Sequence, residues 1–269
     1  MPRDRTTIDN FRAATTIRRP RWVWVPTLWC VIPAAGRSTR IGGLTRGRPK
    51  ALLEIGNKSV IEHLLDRLGE PFTDACIVAA PDGLELLRRL GDSHGDLGLH
   101  YAVQPEATGV ADAVSRASDL FRGPFVVLMG DCFYDQTLSG FVERWKETED
   151  QGAVLVEPAA SAGAQPMGLV TVSDHRVSEI FKAPWAGETD WRVCGAYLFP
   201  ESYFAAAADT PPAESGEREL EDVVTRLIAT GVTFRAIPYG GWRRNINTPE
   251  DLAAVEERVA EGLSSSSDA

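Results

Sequence analysis

The sequence predicts an α/β fold: a mostly parallel central sheet with helices on both faces, continued by a mixed, strand-rich second half. Three observations carry this. Residues 27–33 (TLWCVIP), 75–80 (ACIVAA) and 124–129 (PFVVLM) are short apolar runs without polar alternation, as expected of strands covered on both faces. Segments with helical periodicity separate them, the clearest being 59–68, where Val60, Ile61, Leu64, Leu65 and Leu68 share one face. Beyond about residue 150 the rhythm changes to strands with few helices between them.

Taken in order, strand 27–33 leads into a Gly/Arg-rich loop ending near Pro49. Helix 59–68, strand 75–80, helix 83–90, strand 100–104, helix 108–120 and strand 124–129 follow, the last ending at Gly130-Asp131. The second half reads as strands at 153–157, 168–172, 177–182 and 193–199, with a hairpin turn at Ser173-Asp174-His175. Helices at 201–208 and 218–229 and a strand at 233–238 come next. Thr248-Pro249-Glu250-Asp251 opens a final helix, with a Thr cap, proline in the first turn and acids behind it. Both halves are expected to share one sheet.

Composition sets limits. The 269 residues carry a net charge of −10, with 43% hydrophobic and 25% charged residues, enough to build a core without staples. The acidic balance argues against a nucleic-acid partner, but leaves room for a basic pocket that takes a small anion. No apolar run approaches the ~18 residues of a membrane span, so no membrane role is expected. Cys30, Cys76, Cys132 and Cys194 form no CxxC, and no two histidines lie at metal-ligand spacing. They read as reduced core thiols of a cytoplasmic protein, and no secretory signal is visible. Residues 1–27 hold six arginines against two aspartates and read as a flexible basic extension, loosely similar to a transit peptide, with Trp22 and Trp24 packing back. Residues 28–262 form the expected domain, and 263–269 a disordered tail.

In doubly wound folds, ligands bind beyond the carboxyl ends of the strands, so the loops there carry the chemistry. After the first strand comes Ala34-Ala35-Gly36-Arg37-Ser38-Thr39-Arg40, then Arg48-Pro49-Lys50. Small residues let the backbone approach a ligand, and successive N–H groups can cradle phosphate. Arg40 supplies a fork and Lys50 a point charge. The loop is neither a Walker A motif nor a GxGxxG fingerprint, and a plain flexible basic loop is the competing reading. After the third strand, Gln104-Pro105-Glu106-Ala107-Thr108-Gly109 could present a base-reading edge or be an ordinary strand-to-helix turn. After the fourth, Asp131 suits a hard cation such as Mg²⁺ or caps the next helix. Only four basic residues are lysines (50, 58, 146 and 182), against 24 arginines.

Together and in this order the loops resemble the sugar-1-phosphate nucleotidylyltransferases, over about residues 27–260. The carrying motifs are AAGRSTR…PK at 34–50, QPEATGVADAV at 104–114, VVLMGD at 126–131 and NINTPEDL at 245–252. PMGLV (166–170), EIFKAP (179–184), VCGAYLF (193–199) and ERELEDV (217–223) add weaker matches. The resemblance implies a Rossmann-like GT-A type nucleotidyltransferase fold. It also implies transfer of NMP from a nucleoside triphosphate to a sugar-1-phosphate, releasing pyrophosphate. It assigns the Gly36–Thr39 backbone and Arg40 to the β- and γ-phosphates, Lys50 to the α-phosphate, and Gln104 and Gly109 to the base, with Ala34, Ala35 and Pro105 as further nucleotide-binding residues. Asp131 would hold Mg²⁺ with Asn245 or Asn247. Gly168, Lys182 and Gly195 would meet the sugar phosphate.

Three departures matter. Asn245 or Asn247 stands where relatives carry Asp, Phe181 replaces the Glu that normally precedes Lys182, and Ser38 replaces a glycine. Phe181 keeps a cytidylyltransferase for a phospho-alcohol or phosphonate open as an alternative. A catalytically silent regulatory paralogue is a second, although Arg40, Lys50 and Asp131 are all present. A GT-A glycosyltransferase would need Asp-x-Asp where Asp131-Cys132-Phe133 stands. With no β-helix following, an acetyltransferase fusion is not expected. The base, the acceptor and any homo-oligomer stay open.

Overall fold

The computed structural model describes residues 27–36, 45, 48–159, 167–184, 186–187 and 191–266. The strands, in chain order, are β1 (Leu28–Pro33), β2 (Glu54–Ile55), β3 (Lys58–Ser59), β4 (Phe72–Ala79), β5 (Ser93–His94), β6 (Leu97–Val103) and β7 (Phe125–Leu128). They continue as β8 (Cys132–Tyr134), β9 (Gly152–Pro158), β10 (Met167–Ser173), β11 (Arg176–Ala183), β12 (Trp191–Phe199), β13 (Phe234–Pro238) and β14 (Arg243–Asn245). The helices are α1 (Val60–Leu65), α2 (Leu84–Leu90), α3 (Val110–Ser115), α4 (Ser139–Lys146), α5 (Tyr203–Asp209), α6 (Leu220–Ala229) and α7 (Pro249–Ser266).

Ten strands form one sheet in the order β10-β11-β13-β9-β12-β7-β1-β4-β6-β5. β1, β4, β6 and β7 run parallel, with β1 between β4 and β7. The chain therefore winds outward from β1 through β4 to β6, then returns to the other side of β1 as β7. That reversal opens a crevice at the carboxyl ends of β1 and β7. β12 is inserted antiparallel beside β7, so the sheet is parallel through β1, β4, β6 and β7 and mixed through its second-half strands, as expected.

Both faces of the central strands are buried, which explains the missing alternation. Cys30, Ile32, Ala75, Ile77, Val126 and Leu128 pack in one cluster with α1 and α4. Val31, Cys76, Val78, Phe125 and Val127 pack in another with α3, α5 and α6. Burying each large aliphatic or aromatic side chain contributes about 1.5–3 kcal/mol, which outweighs intrinsic propensity differences of under ~1 kcal/mol.

Helix α4 was absent from the sequence reading. Its signal is present, since Leu138, Phe141, Val142 and Trp145 recur at helical spacing, and Phe141 and Val142 are buried. β8 and β14 form a two-stranded antiparallel ribbon that no pattern announces, because β14 is Arg-Arg-Asn. Helix α7 continues to Ser266, into the segment expected to be a tail. The basic extension up to residue 26, including Trp22 and Trp24, and residues 267–269 lie outside the described residues. No described helix is long and apolar enough to cross a membrane.

The β10–β11 hairpin turns where the sequence placed it. Ser173 pairs with Arg176, and Asp174 and His175 both have positive φ, 49° and 64°. Two consecutive left-handed residues mark a type I′ turn, which favours Asn-Gly. We predict that Asp174→Asn with His175→Gly stabilises the protein by about 1 kcal/mol, raising the thermal midpoint by roughly 2–4 °C. An unchanged or lowered midpoint in calorimetry contradicts this.

Candidate active site

A cleft of about 570 Å³ opens at the carboxyl ends of β1 and β7, within the usual range for small-ligand sites. One wall is Pro33 to Gly36, directly after β1. Gly130 closes its floor: a Cβ there would meet the carbonyl oxygen of Pro33 at 2.7 Å, so the strand ends approach this closely only with glycine. Among the described residues, none lies within 4 Å of a Cβ built on Gly36.

Lys50 begins a single 3-10 turn whose next two residues, Ala51 and Leu52, are buried and anchor it. Its Nζ donates to Asp131 Oδ2 at 3.0 Å and to Asn247 Oδ1 at 2.9 Å. Three segments far apart in sequence thus meet at one ammonium. Asp131 follows β7 by three residues. Asn247 arrives through the β8–β14 ribbon, in which Asn245 pairs with Cys132 and the Ile246 N–H donates to the Asp131 carbonyl at 2.8 Å. Ile246 is fully buried with Phe133 and Val255, which locks the position. The Asn247 and Thr248 N–H groups both donate to Asp251 Oδ2 at 2.9 Å, and the Asp251 N–H donates to Thr248 Oγ1 at 3.2 Å. This reciprocal cap fixes Asn247 at the start of α7. Burial opposes charge on Asp251, but these N–H groups and Arg244 hold its carboxyl below the usual carboxylate range.

Asn245 has different neighbours. Its Oδ1 accepts from the Arg243 guanidinium and from the Cys132 thiol, the latter at 3.2 Å. Burial, reinforced by Asp131, pushes the Cys132 thiol up to about 12, so it stays protonated and donates. Arg243 and Arg192 converge on Glu157, with Arg243 Nε 2.9 Å and Arg192 2.7 Å from Glu157 Oε1. Burial works against the charge on Arg243, yet the Glu157 hydrogen bonds raise its pKa and keep it ionised.

On the opposite wall, Gln104 is only 5% exposed. Its Nε2 donates to the Gly109 carbonyl at 2.9 Å and to Asp112 Oδ2 at 3.0 Å. Burial disfavours charge on Asp112, but Gln104 and Arg116 hold its carboxyl low, so it remains an acceptor. Both partners are acceptors, which fixes the amide orientation and leaves Oε1 for a ligand. Gly109 has φ 108°, and a Cβ there would collide with the Arg218 backbone. The Arg218 N–H donates to Thr108 at 2.9 Å and the Ala111 N–H to Arg218 at 3.0 Å, bringing Glu217 to the cleft.

Of the residues singled out from sequence, Ala34, Ala35, Gly36, Lys50, Gln104, Gly109, Asp131 and Asn247 line this cleft. Pro105, Gly168, Lys182, Gly195 and Asn245 do not line it. Lys182 pairs with Glu219 at 2.5 Å and lies opposite Gly168 in the β10–β11 ladder. Gly168 sits over Glu221, and Gly195 has φ 78° with room only for hydrogen against Cys132. Glu221 is buried and bonded to the Tyr197 hydroxyl at 2.9 Å, and burial raises its pKa. Arg37, Ser38, Thr39 and Arg40 lie outside the described residues. Sequence reasoning missed Glu217, Met129 and the Glu157–Arg243 pair. Glu217 and Met129 lay within recognised motifs, whereas the ion pair is purely tertiary.

No group of three or more His, Cys, Asp or Glu side chains gathers among the described residues. The oxygen donors that meet at the Lys50 amine are one carboxylate and one amide carbonyl, Asp131 and Asn247. That set fits Mg²⁺, which takes few protein oxygens and completes its shell with water and phosphate.

Comparisons with known proteins identify relatives of the chain. The chain is 29% identical over 233 residues to UTP–glucose-1-phosphate uridylyltransferase AglF of Haloferax volcanii, covering 86% of this chain and 96% of that one. It is 25% identical to the low-salt glycan biosynthesis nucleotidyltransferase Agl11 of the same organism, covering 87% of this chain and 66% of that one. A structure of UDP-glucose pyrophosphorylase complexed with UDP-glucose shares the fold, with a TM-score of 0.77, 19% identity, and coverage of 87% and 99%. The nucleotidyl transferase model matches residues 30–261, and the chain belongs to that family.

Proposed function

We propose that the protein transfers a uridylyl or thymidylyl group from the nucleoside triphosphate to a sugar-1-phosphate, forming an NDP-sugar and pyrophosphate. The observation that carries this reading is the meeting of Lys50, Asp131 and Asn247 in the cleft that Ala35 and Gly36 also line. AglF, by its name a uridylyltransferase for glucose-1-phosphate, supports the acceptor class over nearly its whole length. Gln104 supports the base. Its free Oε1 is an acceptor and complements the N3–H of uracil or thymine, whereas cytosine offers an acceptor at that position.

The acceptor phosphate attacks the α-phosphorus in line, and pyrophosphate leaves. The chain's task is positioning and charge neutralisation. The backbone at Ala35 and Gly36, continued by residues 37–40 with Arg40, cradles the β- and γ-phosphates. Lys50 moves onto the α-phosphate, where a compact ammonium follows developing charge. Asp131 and Asn247 would hold Mg²⁺, which would supply neutralisation of charge on the phosphates. Asn245 acts one step back, tied to Arg243 and Cys132. Gly168, Lys182 and Gly195 belong to the acceptor side, with Glu219 holding the Lys182 amine. The buried thiols are consistent with a reducing compartment, and the cytoplasm is the assigned location.

The test is pyrophosphate release from each of five nucleoside triphosphates against sugar-1-phosphates and phospho-alcohols. Turnover with UTP or dTTP and a hexose-1-phosphate is expected. Release only with CTP and a phospho-alcohol favours the cytidylyltransferase alternative, and binding without release favours a regulatory protein. A second prediction separates the asparagines. Asn247→Ala lowers kcat/KM on the order of 10²-fold, partly restored by raising Mg²⁺, while Asn245→Ala costs about tenfold or less. Equal losses in steady-state kinetics would overturn the metal assignment.

A further inference from the structure

The bonds of Lys50 have a consequence beyond phosphate binding. Its ammonium spends two of its three N–H groups on Asp131 Oδ2 and Asn247 Oδ1, at 3.0 and 2.9 Å. Those are the same two oxygens that a divalent cation would take at about 2.0–2.1 Å. A cation bound to both would either overlap the amine or face it across the oxygen pair. Among the described residues that line the cleft, Glu217 is the one acid besides Asp131. The Lys50 backbone cannot retreat, because Ala51 and Leu52 are each only 3% exposed. The amine can leave only by rotating its own four-carbon stem, and the cleft beside Gly36 is where it can go.

We propose that Lys50 and the divalent metal are mutually exclusive occupants of the Asp131–Asn247 oxygen pair, so that nucleotide admits the metal by drawing Lys50 onto a phosphate. This rests on the function proposed above. Lys50 thereby has two positions: a guard of the metal site without nucleotide and a phosphate ligand with it. The linkage is reciprocal, so nucleotide tightens metal binding by the same factor that metal tightens nucleotide binding. A free metal ion then does not hold Asp131 and Asn247 apart from the reacting phosphates.

Mn²⁺ titration of the full chain without nucleotide, followed by the electron paramagnetic resonance of free Mn²⁺, tests this. Lys50→Met is expected to tighten Mn²⁺ binding by about tenfold or more over the native protein. Lys50→Arg keeps the charge and should bring no such gain. Lys50→Met combined with Asp131→Asn should lose the gained site. Lys50→Ala serves as the second uncharged variant should Lys50→Met melt below the native protein. Equal Mn²⁺ affinity in native and uncharged variants overturns the proposal, as does a gain that survives Asp131→Asn. Neither result depends on turnover. Absence of pyrophosphate release with every substrate pair, beside an intact Mn²⁺ gain, would instead overturn the reading of function.

Discussion

A single ammonium ties together the parts of the molecule that matter for chemistry. Lys50 reaches Asp131 and Asn247, which come from the loop after β7 and the entry to α7. Both partners are partly buried, so the pair is less screened than a surface salt bridge, and losing one member leaves polar groups without a partner. The rest of the architecture can be understood as what brings these three groups together. The reversal of winding at β1 opens the crevice. Gly130 lets the ends of β1 and β7 close up. The β8–β14 ribbon, pinned by Ile246, carries the C-terminal motif across to Asp131.

Around this centre, buried polar groups set directions rather than add stability. Gln104 could present either end of its amide, but the Gly109 carbonyl and Asp112 accept its N–H groups and leave the oxygen. Asn245 and Asn247 share a residue type and lie two positions apart, yet one is bonded to Arg243 and Cys132 and the other to Lys50. Glycines at 109, 130 and 195 are required by packing, since a Cβ at each would strike a neighbour. Fixed directions matter in a polar cleft, because a flipped amide changes a donor into an acceptor.

Much of this was legible in the sequence. The four parallel strands were visible because both their faces are buried, and the loops after β1, β6 and β7 stood at the right strand ends. The turn at Asp174-His175 and the cap at Thr248 were equally readable, since their signals are local. Helix α4 was readable in principle from Leu138, Phe141, Val142 and Trp145, but its polar surroundings masked a short stripe. Other features could not be read. β14 is Arg-Arg-Asn, and nothing local says that it pairs with β8. The choice between Asn245 and Asn247 depends on which of them meets Arg243, and the Gln104 orientation depends on Asp112. The packing that demands glycine at 168 and 195, against Glu221, Val193 and Cys132, is likewise invisible in local sequence. Local pattern reveals elements and loops, while tertiary hydrogen bonds decide which atom of a side chain is offered.

The proposed exchange of Lys50 for a metal at Asp131 and Asn247 can be observed in a crystal. Anomalous diffraction from crystals grown with Mn²⁺ and a non-hydrolysable UTP analogue tests it directly. The exchange predicts a manganese peak in contact with Asp131 and Asn247, with the Lys50 amine moved from both onto a phosphate oxygen. Manganese held at Asn245, or Lys50 still bonded to Asp131 and Asn247 beside bound metal, would contradict it.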